Sequence, residues 1–82
     1  MTQEELIEWA RSQDRVRAVV HRLDPPLLGG FTYQVLLWHF VSSATGGYTG
    51  FVHAGFGRDF TEFCEAVKFA RRCTDEVVIE HE

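Results

Sequence analysis

The chain has 82 residues, 45% of them hydrophobic and 24% charged, which fits one globular domain and excludes a disordered one. A domain of this size buries only roughly 60% of the surface its unfolded chain exposes, so modest stability is expected. Eight basic against twelve acidic residues leave a net charge of −4, which argues against a nucleic-acid partner, since such partners select a basic stripe. No apolar run approaches the ~20 residues that cross a bilayer. The start, Met1-Thr2-Gln3-Glu4-Glu5, is acidic where a signal peptide is basic, so the chain is expected to remain in the cytoplasm where it is made.

Thr2-Gln3-Glu4-Glu5 has the form of a capping box and opens a first helix with Leu6, Trp9 and Ala10 on one side. Ser12-Gln13-Asp14 ends it. Arg15 to Leu23 reads two ways. Val16, Val19, Val20 and Leu23 keep helical spacing, whereas three valines alternating with Arg15, Arg17 and His21 suit an edge strand, the preferred reading. Asp24-Pro25-Pro26 stops either element, because proline disfavours helix in the residue before it.

Phe31 to Ser43 is the clearest strand, and Ala44 to Thr49, with Gly46-Gly47 inside it, predicts a turn into a returning strand over Tyr48 to Gly55. Asp59-Phe60-Thr61-Glu62 resembles a second capping box. The helix expected after it carries Phe60, Phe63, Cys64, Val67 and Ala70 on an apolar stripe, widened by Ala66, Phe69 and Cys73. Arg71 and Arg72 suit its C-terminal end. Thr74-Asp75 turns the chain into a last short strand, Val77-Val78-Ile79. The predicted class is α+β, a small antiparallel sheet of three or four strands with two helices in the order α-β-β-β-α-β, or α-β-β-α-β if Arg15–Leu23 is helical.

From Pro25 to Gly57 there is no Asp, Glu, Lys or Arg. Side chains of a strand alternate between faces, so the long strand shows Leu36, Trp38 and Phe40 on one side and Phe31, Tyr33, Val35, Leu37, His39 and Val41 on the other. If both helices cover one side, the other is left apolar and uncharged, as interface cores are. The row from Phe31 to Val41 is the expected contact face. The alternative places the helices on opposite faces and buries both. The acids gather near the two ends, as Glu4, Glu5 and Glu8 and as Asp75, Glu76, Glu80 and Glu82, and would form a second, negative contact patch if the ends meet.

No catalytic, metal or cofactor site is expected. Cys64 and Cys73 are nine positions apart on one helix, more than ~13 Å along its axis, and cannot bridge each other. Both are read as half-buried thiols, Cys64 on the core stripe. His39 and His53 meet only if the hairpin pairs about Gly46, and no local His or Cys pair supplies further ligands. Gly55-Phe56-Gly57-Arg58, between strand and helix, has backbone N–H groups suited to an anion, but Asp59 competes for that helix end. No serine lies in a nucleophile-elbow context and no carboxylate falls inside the uncharged hairpin, so an enzyme is not expected.

In size, acidic balance and helix–antiparallel sheet–helix order from Thr2 through Cys73, with acidic ends at Glu4-Glu5-Glu8 and Asp75-Glu76-Glu80, the chain resembles the small anti-defence proteins of phages and mobile elements, the anti-CRISPR inhibitors in particular. The resemblance implies a non-enzymatic, stoichiometric inhibitor that covers a functional surface of a larger protein or complex. The partner implied is another protein, with neither membrane nor nucleic acid. A homodimer with a structural or regulatory role and a small-ligand or anion-binding domain, its pocket near Gly55–Arg58, are the alternatives.

Overall fold

The computed structural model describes residues 2–42 and 47–80. Its elements are α1 (Gln3–Ser12), β1 (Val16–Leu27), β2 (Phe31–Ser42), β3 (Thr49–Phe60), α2 (Phe63–Cys73) and β4 (Glu76–Glu80), so the fold is α+β in the order α-β-β-β-α-β. The segment after α1 is a strand, and the shorter alternative falls. Among the described residues no helix is long and apolar enough to cross a membrane.

Helix α1 begins as its sequence dictates. The Glu5 N–H donates to Thr2 Oγ1 at 3.2 Å, and the Thr2 N–H donates to Glu5 Oε1 at 3.0 Å. This holds the Glu5 carboxyl below its ordinary range, chiefly through the Thr2 backbone N–H and then its hydroxyl.

The sheet has the order β3-β2-β1-β4. Strands β1, β2 and β3 form an antiparallel meander, and β4 joins β1 in parallel. The sheet is therefore mixed, where an antiparallel one was expected. The cause lies in the connection. Strand β3 runs in the same direction as β1, and α2 carries the chain over the sheet to the far edge, a crossover that returns the next strand in parallel. Thr74 fixes the landing point, donating through Oγ1 to Val16 O at 2.6 Å and accepting from the Glu76 N–H at 3.2 Å.

Two expected boundaries move. The prolines do not end β1; they fall within an irregular stretch between the Arg22–Tyr33 and Leu27–Phe31 pairs, where a residue without an N–H does little harm. Strand β3 runs on to Phe60, through the glycines expected to form a loop. Asp59 therefore does not cap α2. It accepts a hydrogen bond from Gln34 Nε2 at 3.1 Å, and the cap position falls to Glu62, whose side chain makes no capping bond. Of the expected hairpin turn at Ala44–Thr49, residues 44–46 lie outside the described residues.

Both helices lie on one face of the sheet. The core beneath them joins Leu6 and Ala10 of α1, Val16, Ala18 and Val20 of β1, Val35 and Leu37 of β2, Phe60 of β3, and Ala66, Phe69, Ala70 and Cys73 of α2. The buried stripe of α2 is thus Ala70 of the expected stripe together with the three residues expected only to widen it, Ala66, Phe69 and Cys73. Phe63 and Cys64 face solvent, so Cys64 is not a core residue. Burial pushes the Cys73 thiol up to about 11, leaving it protonated and inert at neutral pH. Arg11 locks the two helices together. Its Nε and Nη2 donate to the Arg72 and Arg71 carbonyls at 2.8 and 3.0 Å, placing a cation where α2 exposes free C=O groups.

Candidate protein-binding face

Strand alternation divides the expected site residues. Val35 and Leu37 are 0% exposed, sealed under the helices, and cannot touch a partner in the folded chain. The remainder of their row is a border of the core. Tyr33 packs on Phe63 with ring centroids 5.4 Å apart, His39 lies 5.9 Å from Trp9, and Val41 is half-buried. Phe31 is exposed beside the β1–β2 turn, where Gly29, at φ 90°, takes the left-handed conformation that turn demands and Leu28 stands 98% exposed. The expected contact face is therefore the wrong side of β2, since the helices cover it.

The other side has no helix over it. Cross-strand pairing places Glu76, Val78 and Glu80 of β4 beside Arg17, Val19 and His21 of β1, then Trp38, Leu36 and Gln34 of β2, then His53, Gly57 and Asp59 of β3. Phe40 and Phe51 extend it at one end. Val19, Leu36, Trp38 and Phe51 line a groove of about 310 Å³ whose other walls are Arg17, His21 and Glu80. Gly57 lets β3 approach Leu36 closely, because a Cβ there would stand 3.0 Å from Leu36 Cδ2 and 3.0 Å from the Val35 carbonyl oxygen.

Aromatic packing stiffens the floor. Trp38 meets His53 edge-on at 5.3 Å, and Phe40 meets Phe51 edge-on at 5.5 Å. The Arg17 guanidinium lies 4.1 Å from the Phe51 centroid, and that of Arg15 lies 4.9 Å from it. The Trp38 indole N–H is buried among these neighbours without an acceptor, an uncompensated donor within the face.

The two arginines on this face are paired with one carboxylate. Glu76 receives Arg17 Nη2 at 2.8 Å and Arg15 Nε at 3.1 Å, which holds its carboxyl below the ordinary range, Arg17 contributing most and Arg15 next. Glu80 lies 3.8 Å from His21. The acidic residues of the two ends are likewise interleaved with cations and form no unbroken negative patch. Glu4 pairs with Arg72 at 3.0 Å, Asp75 with Arg11 at 3.7 Å, and Glu5 serves the cap, while Glu8 is exposed on α1. Basic residues placed three score positions away in the chain thus absorb the acids that looked like a separate surface.

The other expectations resolve as follows. The hairpin pairs Trp38 with His53 and His39 with Val52, so the two histidines fall on opposite faces. Among the described residues no group of three or more His, Cys, Asp and Glu is placed to hold a metal. Gly55, Phe56 and Gly57 line a shallow cavity of about 310 Å³ with Leu6, but they belong to β3 and not to a helix N-terminus, so the anion-loop geometry is absent.

No family model, no curated protein and no solved structure matches this chain. The open face therefore has to be interpreted from its own chemistry.

Proposed function

We propose that the chain is a non-enzymatic protein-binding module whose contact surface is the open face of the sheet. The observation behind this reading is the apolar floor of Val19, Leu36, Trp38 and Phe51, left without a helix over it and framed by Arg15 and Arg17 paired with Glu76 and by His21 beside Glu80. A dry aromatic centre inside a polar frame is the anatomy of an interface hot spot. Small ligands prefer more enclosed cavities with convergent polar groups, and this groove is an open trough on a flat surface. The frame also suits a protein better than a polyanion, because Arg15 and Arg17 already share one carboxylate.

The form of binding we put forward is stoichiometric inhibition of a defence complex in the host cytoplasm, in keeping with the class resemblance to anti-CRISPR proteins. The test expresses the chain in a panel of bacteria that each carry a different CRISPR interference system and a targeted plasmid. Wild-type chain is expected to rescue plasmid maintenance in one of them, and the folded variants Leu36→Lys and Val78→Lys to lose that rescue. Rescue by both variants would remove the open face from the mechanism. No rescue in any system would remove the inhibitor.

A further inference from the structure

The two edges of the sheet are finished differently. Strand β4 has five residues and carries Glu76 and Glu80 at its ends, the usual way of making an edge unfit for further pairing. Strand β3 has twelve residues, and from Thr49 to Gly57 none is charged. Helix α1 shields only its middle. Leu6 shares a cavity with Gly55, Phe56 and Gly57, and Trp9 meets Phe56 edge-on at 4.8 Å. The stretch Thr49–Ala54 is a bare edge.

Its backbone polarity can be assigned. Phe40, the cross-strand partner of Phe51, turns its N–H away from β3 to the Arg15 carbonyl at 3.0 Å, so the Phe40–Phe51 pair is not a hydrogen-bonded one and the Phe51 carbonyl, which accepts the Tyr48 hydroxyl at 3.0 Å, points outward. N–H and C=O of one strand residue point the same way and alternate along the chain, so Thr49, Phe51 and His53 present their groups outward while Gly50 and Val52 bond β2. Tyr48 folds tightly to reach that carbonyl: a Cβ on Gly50 would stand 2.7 Å from its hydroxyl. Among the described residues, only this outward carbonyl is covered by a side chain.

We infer that this edge pairs with the same edge of a second copy, antiparallel about a two-fold axis at Phe51, to give a continuous eight-stranded sheet. A row of alternating donors and acceptors is matched by another strand and by little else. A two-fold axis at Phe51 sets the side chains of this stretch against others of the same stretch, so self-pairing is not tolerated by a stretch that carries like charges. Thr49–Ala54 satisfies that condition and β4 does not. The pairing sets Phe51 against Phe51 and Thr49 against His53, and it doubles the open face on one side of the assembly. The Tyr48 hydroxyl competes with it for the Phe51 carbonyl and acts as a removable guard.

Sedimentation equilibrium over a concentration series tests this. The wild-type chain is expected to show a reversible monomer–dimer equilibrium. His53→Pro removes an outward N–H and leaves the bonds to β2 intact, so it is expected to keep the circular dichroism spectrum and weaken dimerisation about tenfold or more, since symmetry removes two bonds. His53→Ala is the control and is expected to dimerise as wild type does, while Tyr48→Phe strengthens association several-fold. If His53→Pro does not fold, amide exchange in the wild type decides: protection at Phe51 and His53 must rise with concentration. A chain that stays monomeric up to its solubility limit, or a dimer indifferent to His53→Pro, overturns the proposal; in the first case the edge belongs to a strand of another protein.

Discussion

The two faces of the sheet are cut from the same strands and differ in what they do with apolar side chains. On β2, Val35 and Leu37 point to the helices and are fully sealed, while their neighbours Leu36 and Trp38 point the other way and stay half-exposed. Among the described residues the sealed face has no buried polar or charged residue; the open face mixes the same apolar types with Arg15, Arg17, His21, Glu76 and Glu80. The difference teaches that apolar content does not select the covered side. What selects it is the flanking strands, which put their charges on the side the helices leave to water.

The contrast is broken most directly by a charge. Val35→Lys buries an ammonium with no partner beneath both helices, a cost comparable with the whole ~5–10 kcal/mol stability of a small domain, so no folded protein is expected by circular dichroism. Leu36→Lys, one residue along, can extend its amine into water and is expected to stay folded. If the two variants behave alike, the faces are not distinct. Truncation sharpens the same point at smaller scale. Leu37→Ala is expected to cost about 3 kcal/mol in urea unfolding, against about 1 kcal/mol or less for Leu36→Ala, because only the first leaves an enclosed cavity.

The smallest effect concerns pH. The folded Glu76 carboxyl titrates below its unfolded counterpart, so its contribution is complete above the ordinary glutamate range, near pH ~4.3, and is lost as pH falls through the folded value. Glu76→Gln is expected to flatten the acid limb of a stability–pH profile. The part that remains carries the capping-box Glu5, which is shifted the same way. An unchanged acid limb would mean that the two arginines add nothing to the open face's frame.

Much of the fold was legible from local chemistry. The capping box of α1 and the strand character of β2 follow from residues within a few positions of each other, and so does the apolar stripe of α2, apart from its rotation away from Phe63 and Cys64. The open face was not, for two reasons. Its clearest marker, Arg15 and Arg17 alternating with Val16, Ala18 and Val20, lies at the start of β1 and in the residue before it, and only the register of β1 against β2 transfers that marker to Leu36 and Trp38. The acidic ends misled because their partners Arg11, Arg15, Arg17 and Arg72 are remote in sequence and invisible to spacing. The extension of β3 through Gly55 and Gly57 was missed for a third reason: glycine reads as a turn signal, yet here Gly57 makes room for Leu36 and Gly55, at φ 81°, accompanies the register shift.

The parallel attachment of β4 has a consequence for aggregation. β1 and β2 are consecutive in sequence, whereas β4 reaches β1 across some three-quarters of the chain and holds it over five residue pairs. If that clasp lets go, the inner ladder of β1, apolar at Val16, Ala18 and Val20, becomes a raw template for cross-chain stacking. Two guanidinium groups on one carboxylate, with Thr74 at the hinge, keep the clasp shut. Acid strong enough to protonate Glu76 weakens both of those ion pairs together, so fraying of the sheet at low pH is expected to begin at β4.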